Sequence, residues 1–175
     1  VAQSTRNHRK GFDLLADALT TLDAENITLL SIGSHEPDLR TSLAHQHLGS
    51  LNSDTLLSVF YSMADLFVIP SRQDNLPNTV LESMACGTPV VGFDTGGIPD
   101  MVRPGKTGWL AEVENTRALR SAITEGLSND TKRSRMGTKC REVMKAEYTL
   151  EIQAQHYREL YEQVIGDVTT ATDRV

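Results

Sequence analysis

The sequence predicts an α/β domain of three layers, with helices on both faces of a parallel sheet. Three observations predict it. Short apolar runs that do not alternate, I27-T-L-L-S-I-G33, L66-F-V-I-P70 and P89-V-V-G-F93, read as strands buried on both faces. Segments between them, F12-D-L-L-A-D-A-L-T-T-L22 and D54-T-L-L-S-V-F-Y-S-M-A64, carry apolar residues at helical spacing. Strand and helix alternate along the chain, which calls for crossover connections and hence parallel strands.

Each element has its local reason. The chain opens on V-A-Q-S, which reads as the end of a strand already under way, so an excised domain or a chain lacking its start is expected. Phe12 to Leu22 is the first helix and Ile27 to Gly33 the next strand. The helix from Asp54 to Ala64 has Ser53 or Asp54 as N-cap. Asn78 to Cys86 is a helix with Pro77 in its first turn and Gly87 as C-cap. Ile98 to Val102 reads as a short helix and G108-W-L-A111 as an edge strand. Arg117 to Ser128, Lys132 to Ala146 and Leu150 to Ile165 read as three helices, and residues 166–175 as a polar, disordered tail.

Composition bounds the function. The chain has 175 residues, enough for one full domain, with 39% hydrophobic and 23% charged residues. A formal charge of −6 argues against a general nucleic-acid binder. Arg6, His8, Arg9 and Lys10 nevertheless form a basic start without an acid. That pattern suits a small anionic ligand or a solvated terminus. No run is long enough to span a membrane, and no signal-peptide pattern opens the chain. Cys86 and Cys140 make no disulfide framework; Cys86 is expected as a small buried residue, and the default setting is reducing and cytoplasmic. His35, His45 and His47 lack metal-ligand spacing and read as surface or structural histidines.

In parallel sheets ligands bind at the carboxyl ends of strands. The loops to inspect are therefore Gln3 to Lys10, the turn after Ile32, the region around Gly49, and the loops after Ile69 and Phe93. The loop after Ile69 carries D74-N-L-P-N-T-V-L-E82, two carboxylates around seven uncharged residues. A helix start offers unpaired N–H groups to a phosphate; here Asn78, Thr79 and Val80 supply them, with Asn75 or Asn78 as cap. Glu82 lies about 6 Å further along the helix axis. Its carboxylate accepts hydrogen bonds only, which suits the paired hydroxyls of a ribose. A capped helix with one acid in its first turn would show the same pattern, so the spacing alone does not decide.

The segment P70-S-R-Q-D-N-L-P-N-T-V-L-E-S-M-A-C-G-T-P-V-V91 resembles the signature of the retaining group 1 glycosyltransferases, family 4. Those enzymes have the GT-B fold, two Rossmann-like domains of which the C-terminal one binds the donor nucleotide. Their acid pair is separated by seven residues, as Asp74 and Glu82 are, although their first acid is usually Glu. K10-G-F-D-L-L resembles the family's Lys-Gly at the first helix, and H47-L-G-S-L51 the loop against which the base packs. A64-D-L-F-V-I-P-S71, D94-T-G-G-I-P-D100 and T107-G-W-L110 resemble further family segments in the same order.

The resemblance implies that residues 1–165 are the C-terminal, Rossmann-like donor-binding half of a GT-B enzyme, with the N-terminal acceptor domain absent. It implies transfer of a hexose from a UDP- or GDP-type nucleotide sugar to an alcohol, without metal or other cofactor. Lys10 would stabilise the leaving diphosphate, and Arg6 or Arg9 would replace the Arg that many members carry before the Lys. Leu51 would meet the base, Asn78 and Thr79 the phosphate, Glu82 the ribose, and Asp74 the transferred sugar. Leu76 and Gly97 join them as donor contacts. The style of D-N-L-P-N-T resembles enzymes of bacterial exopolysaccharide or lipopolysaccharide synthesis. Peripheral membrane contact at the inner face would come through the full-length enzyme, and the isolated domain is expected to catalyse nothing.

Other patterns lead elsewhere. P104-G-K-T-G108 lacks the upstream Gly of a phosphate-binding loop and reads as a surface turn. Gly96-Gly97 is an anion nest or a tight turn. K132-R-S-R135 reads as a solvated helix face, and the apolar stripe of the last helix is expected to be partly exposed. A nucleotide-sugar epimerase of the same architecture, or a non-catalytic module for a phosphate ligand, are the alternatives.

Overall fold

A computed structural model describes residues 7–22, 26–39 and 41–172, of which 166–172 are described as backbone helix only. The strand expected at Val1–Gln3 lies outside these residues. The chain divides into two compact units, 1–141 and 142–175.

The first unit alternates as predicted. A 3-10 turn (His8–Lys10) leads into α1 (Phe12–Leu19), followed by β1 (Thr28–Ser31), β2 (Ala44–His47), α2 (Asp54–Met63) and β3 (Phe67–Ile69). Then come α3 (Asn78–Ala85), β4 (Val90–Phe93), α4 (Ile98–Met101), β5 (Gly108–Ala111), α5 (Thr116–Ser128) and α6 (Asp130–Glu147), the last running on into the second unit. All strand pairs are parallel: β1 with β2, and β3-β4-β5 in that order.

β4 is buried at every residue because both its faces are covered. Val91 and Phe93 enter a core with Leu14, Leu15, Ala18, Leu119, Ile123 and Trp109, so α1 and α5 form one helical layer. On the opposite face Gly92 meets Ile69 and Ile98, beside Val80, Met84 and Met101, which are fully buried. There α3 and α4 form the second layer. The three-layer α/β/α reading is therefore what the chain adopts.

Several local expectations change. β2 is not legible as a strand, since A44-H-Q-H47 has no apolar run. It is held by its ladder to β1 and by Ser31, whose Oγ lies 2.8 Å from His45 Nε2 and 2.9 Å from His47 Nδ1. The histidines are thus structural partners of one serine. P104-G-K-T-G108 is a turn pinned by buried Thr107, whose Oγ1 accepts from the Arg103 amide and donates to the Met101 carbonyl. K132-R-S-R135 is less solvated than expected: Lys132 pairs with Glu125 at 2.6 Å, and Arg133, with a side chain 14% exposed, pairs with Asp65 and Asp130.

Cys86 is partly exposed rather than buried, because the left-handed Gly87 (φ 82) turns the chain at the surface just after it. Cys140 is fully buried, and burial pushes its thiol up to about 12. The thiolate is the reactive form. Iodoacetamide is therefore expected to alkylate Cys86 in the folded chain and to reach Cys140 only in denaturant, as peptide mass spectrometry would read.

In the second unit α7 spans Leu150–Thr172, beyond the Ile165 limit set by its apolar spacing. Leu150, Tyr157, Leu160, Tyr161, Val164 and Ile165 are exposed along it. No helix among the described residues is long and apolar enough to cross a membrane.

Candidate functional site

An open cleft of about 570 Å³ lies at the carboxyl ends of β1 and β3. Ile32, Gly33 and Ser34 line it after β1, and Ile69, Pro70 and Ser71 at and after the end of β3. Ser50, Leu51 and Asn52 come from the loop before α2, Tyr61 from α2, and Pro77, Asn78, Thr79 and Glu82 from the start of α3. Lys10 completes it. The polar groups of the strand-end loops converge on this cleft.

Lys10 is placed by its own turn. The Asn7 side chain accepts from the Arg9 amide at 3.1 Å, capping the 3-10 turn. Gly11 follows with φ 62, and a Cβ there would stand 1.8 Å from the Pro70 carbonyl oxygen. Only glycine allows the first helix to start this close to the end of β3. The Arg72 amide donates to the Arg9 carbonyl at 2.9 Å, fastening the two loops together. Arg72 also donates to the His8 carbonyl and pairs with Asp13 at 2.6 Å and Glu114 at 2.8 Å. Its hydrogen bond to Asp13 holds that carboxyl below its ordinary range.

Asp74 is a buried acid, 8% exposed. Its Oδ2 accepts from Lys10 Nζ at 2.7 Å and from Ser71 Oγ at 3.2 Å, and Arg9 stands 3.5 Å from Oδ1. Two cations against one carboxylate leave one positive charge in excess at this end of the cleft. The Asp74 loop is held from behind: its carbonyl accepts from the Gly97 amide at 3.0 Å, and a Cβ on Gly97 would lie 1.7 Å from the Asn75 carbonyl oxygen. Gly96-Gly97 therefore makes a tight packing turn whose Gly97 N–H is already used.

The start of α3 differs in detail from the sequence reading. Pro77 is itself the N-cap, with no side-chain cap from Asn75 or Asn78, and the Val80 amide donates back to the Pro77 carbonyl at 2.9 Å. Val80 is thus removed from the donor set. Among the described residues nothing accepts from the amides of Asn78 or Thr79, which remain the two donors at the positive end of the helix.

Glu82 faces the cleft one turn later and is exposed. Tyr61, 8% exposed, donates its hydroxyl to Glu82 Oε2 at 3.0 Å. Burial first, and the Glu82 charge second, push the phenol well above its ordinary value, so it stays a donor at neutral pH.

The cleft thus gathers Lys10, Leu51, Asn78, Thr79 and Glu82 from the residues singled out in the sequence. Asp74 stands behind Lys10 rather than on the cleft wall, Leu76 is 47% exposed outside it, and Gly97 supports the Asp74 loop. Arg6 lies outside the described residues, while Arg9 reaches Asp74. Sequence reasoning missed Ser34, Ser50, Asn52, Ser71 and Tyr61. The carboxyl-end rule pointed to the loops of Ser34, Ser50 and Ser71, but nothing in the sequence links Tyr61 to an acid 21 positions later. Among the described residues no three His, Cys, Asp or Glu side chains gather as a metal site.

A parallel α/β/α unit with a polar cleft at its strand ends has the architecture of a Rossmann-like domain. The chain belongs to the group 1 glycosyl transferases, whose pattern it matches over residues 1–129. Similar proteins include the N-acetyl-alpha-D-glucosaminyl L-malate synthase of Bacillus anthracis, 31% identical over 106 residues, covering 61% of this chain and 28% of that one. The lipopolysaccharide core biosynthesis glycosyltransferase LpsE of Rhizobium meliloti is 27% identical, covering 87% of this chain and 46% of its own length. Among solved structures, Anabaena HepE in complex with UDP-glucose superposes with a TM-score of 0.74 at 19% identity, over 89% of this chain and 46% of that one. The chain spans less than half the length of each of these proteins.

Proposed function

We propose that this chain is the donor-binding domain of a retaining glycosyltransferase that moves a hexose from a nucleoside diphosphate sugar to an alcohol. The observation that carries the reading is the single cleft into which Lys10, the Asn78 and Thr79 amides and Glu82 all open. The diphosphate sits at the Lys10 end, where Arg9 adds charge and the α3 amides donate. Glu82 takes the ribose hydroxyls, and the base lies toward Leu51. As the glycosidic bond breaks, negative charge grows on the leaving diphosphate, and preorganised donors there lower the barrier. These groups supply the neutralisation that a divalent cation gives elsewhere, so the proposal requires no metal. Asp74, on the loop after β3, fixes the Lys10 ammonium and acts on the transferred sugar through it. No side chain is assigned as nucleophile.

The acceptor half is supplied by a further domain, and the acceptor belongs to a bacterial surface glycan, at the inner face of the membrane. The likeness to a lipopolysaccharide core enzyme supports that class. Lys10→Met is the direct test of the diphosphate assignment. Loss of a charge-assisted hydrogen bond is expected to weaken a nucleoside diphosphate about tenfold or more. Binding of the bare nucleoside should not change. Equal losses for both would remove Lys10 from the phosphate site.

A further inference from the structure

Tyr61 has no role in the reading above, yet it holds one oxygen of the acid that faces the cleft. Its ring is fixed edge-on to Phe67, with centroids 5.6 Å apart. Its backbone is fixed as well. The Tyr61 carbonyl accepts from Thr88 Oγ1 at 2.5 Å, and the Thr88 carbonyl in turn accepts from Ser83 Oγ at 3.0 Å. Thr88 and Ser83 are buried, so this chain of hydrogen bonds ties the end of α2 to α3 inside the protein. Ser83 is the neighbour of Glu82. The donor and the acceptor of the Tyr61–Glu82 bond are therefore carried on two helices locked to each other.

A Glu side chain on a helix surface has three rotatable bonds, and ordering them on ligand binding costs free energy. A carboxylate already held by one oxygen loses less. Among the described residues Oε1 of Glu82 accepts no hydrogen bond, while Oε2 retains a second lone-pair direction beside the Tyr61 hydroxyl. The free positions face the cleft as a preset pair of acceptors.

We infer that Tyr61 is a positioning residue for the donor ribose: its hydroxyl holds Glu82 so that the carboxylate meets the vicinal diol in one orientation, and the site thereby selects ribonucleotides over 2′-deoxyribonucleotides. This rests on the cleft being the nucleotide site. A vicinal diol offers two donors to the two oxygens, and a 2′-deoxyribose offers one. Discrimination follows only while the carboxylate is held.

The test titrates the wild type, Tyr61→Phe and Glu82→Ala with UDP and GDP and with their 2′-deoxy counterparts. The wild type is expected to prefer the ribonucleotide by about tenfold, the worth of one hydrogen bond to a charged group. Tyr61→Phe should weaken the ribonucleotide about three- to tenfold and the 2′-deoxynucleotide markedly less, so that the preference shrinks. A purely structural role would weaken both alike. A wild-type preference retained in Tyr61→Phe would overturn the inference while leaving the site intact. A wild-type preference retained in Glu82→Ala would instead overturn the placement of the ribose, and the inference with it. Wild-type protein carrying 13Cζ-tyrosine gives a second readout that needs no core substitution. The Tyr61 resonance should shift on saturation with the ribonucleotide and move less with the 2′-deoxynucleotide; equal shifts contradict the inference.

Discussion

Glu82→Ala is expected to weaken nucleoside diphosphate binding about ten- to a hundredfold while leaving the fold unchanged. The side chain is exposed on α3, so its removal opens no core cavity. What disappears is a pair of charge-assisted hydrogen bonds to the ribose, each worth about 1.5–3 kcal/mol when a charged partner is involved. The losses are not additive, which brings the estimate down to about the worth of one such bond. The Tyr61 hydroxyl loses its acceptor but lies at the cleft, where water replaces it. Calorimetric titration gives the affinity, and a urea melt confirms that stability is unchanged. Unaltered affinity in a folded variant would mean that the nucleotide lies elsewhere.

Gly11→Val should produce the largest loss of stability among single changes near the site, about 2–4 kcal/mol. Two costs combine. A residue at φ 62 that has a Cβ pays the left-handed penalty of about 1–2 kcal/mol, larger for a β-branched side chain. The Cβ also meets the Pro70 carbonyl oxygen at 1.8 Å, and the contact is backbone, which cannot swing aside. Relief requires the Lys10 turn to move away from β3. The 2.7 Å pair between Lys10 and Asp74 then stretches, and the diphosphate end of the cleft is lost together with stability. The midpoint in urea and the UDP or GDP affinity should fall together. A variant as stable as the wild type would show that the close approach at Gly11 is not required.

The fold was legible where one physical signal dominated. β4 and β3 announce themselves because strands covered on both faces need unbroken apolar runs, and V90-V-G-F93 has nowhere to place a polar side chain. β2 escaped because its side chains are partly exposed and its register is set by backbone pairing and Ser31, which no local pattern encodes. The site divides in the same way. Lys10, Asn78, Thr79 and Glu82 sit on local motifs, a turn before a helix and a helix start, so sequence picks them out as residues of the cleft. Asp74 was legible as an acid but not as the buried partner of Lys10 and Arg9, because that geometry depends on contacts across more than 60 residues. Val80 was lost as a donor because its amide closes a tight turn onto the Pro77 carbonyl at the helix start, which residue type alone does not reveal. Tyr61 was invisible for the reason that makes it informative: its partner is brought by the packing of α2 on α3.

The central claim is that one cleft, between Lys10, Leu51 and Glu82, holds a nucleoside diphosphate. Calorimetric titration of this chain with UDP, GDP and ADP, in parallel with Glu82→Ala, tests it most directly. The account predicts saturable binding of one of the three at one site per chain, with the Glu82→Ala chain losing it. Absence of binding by all three to the folded chain, or binding that Glu82→Ala leaves untouched, would contradict it.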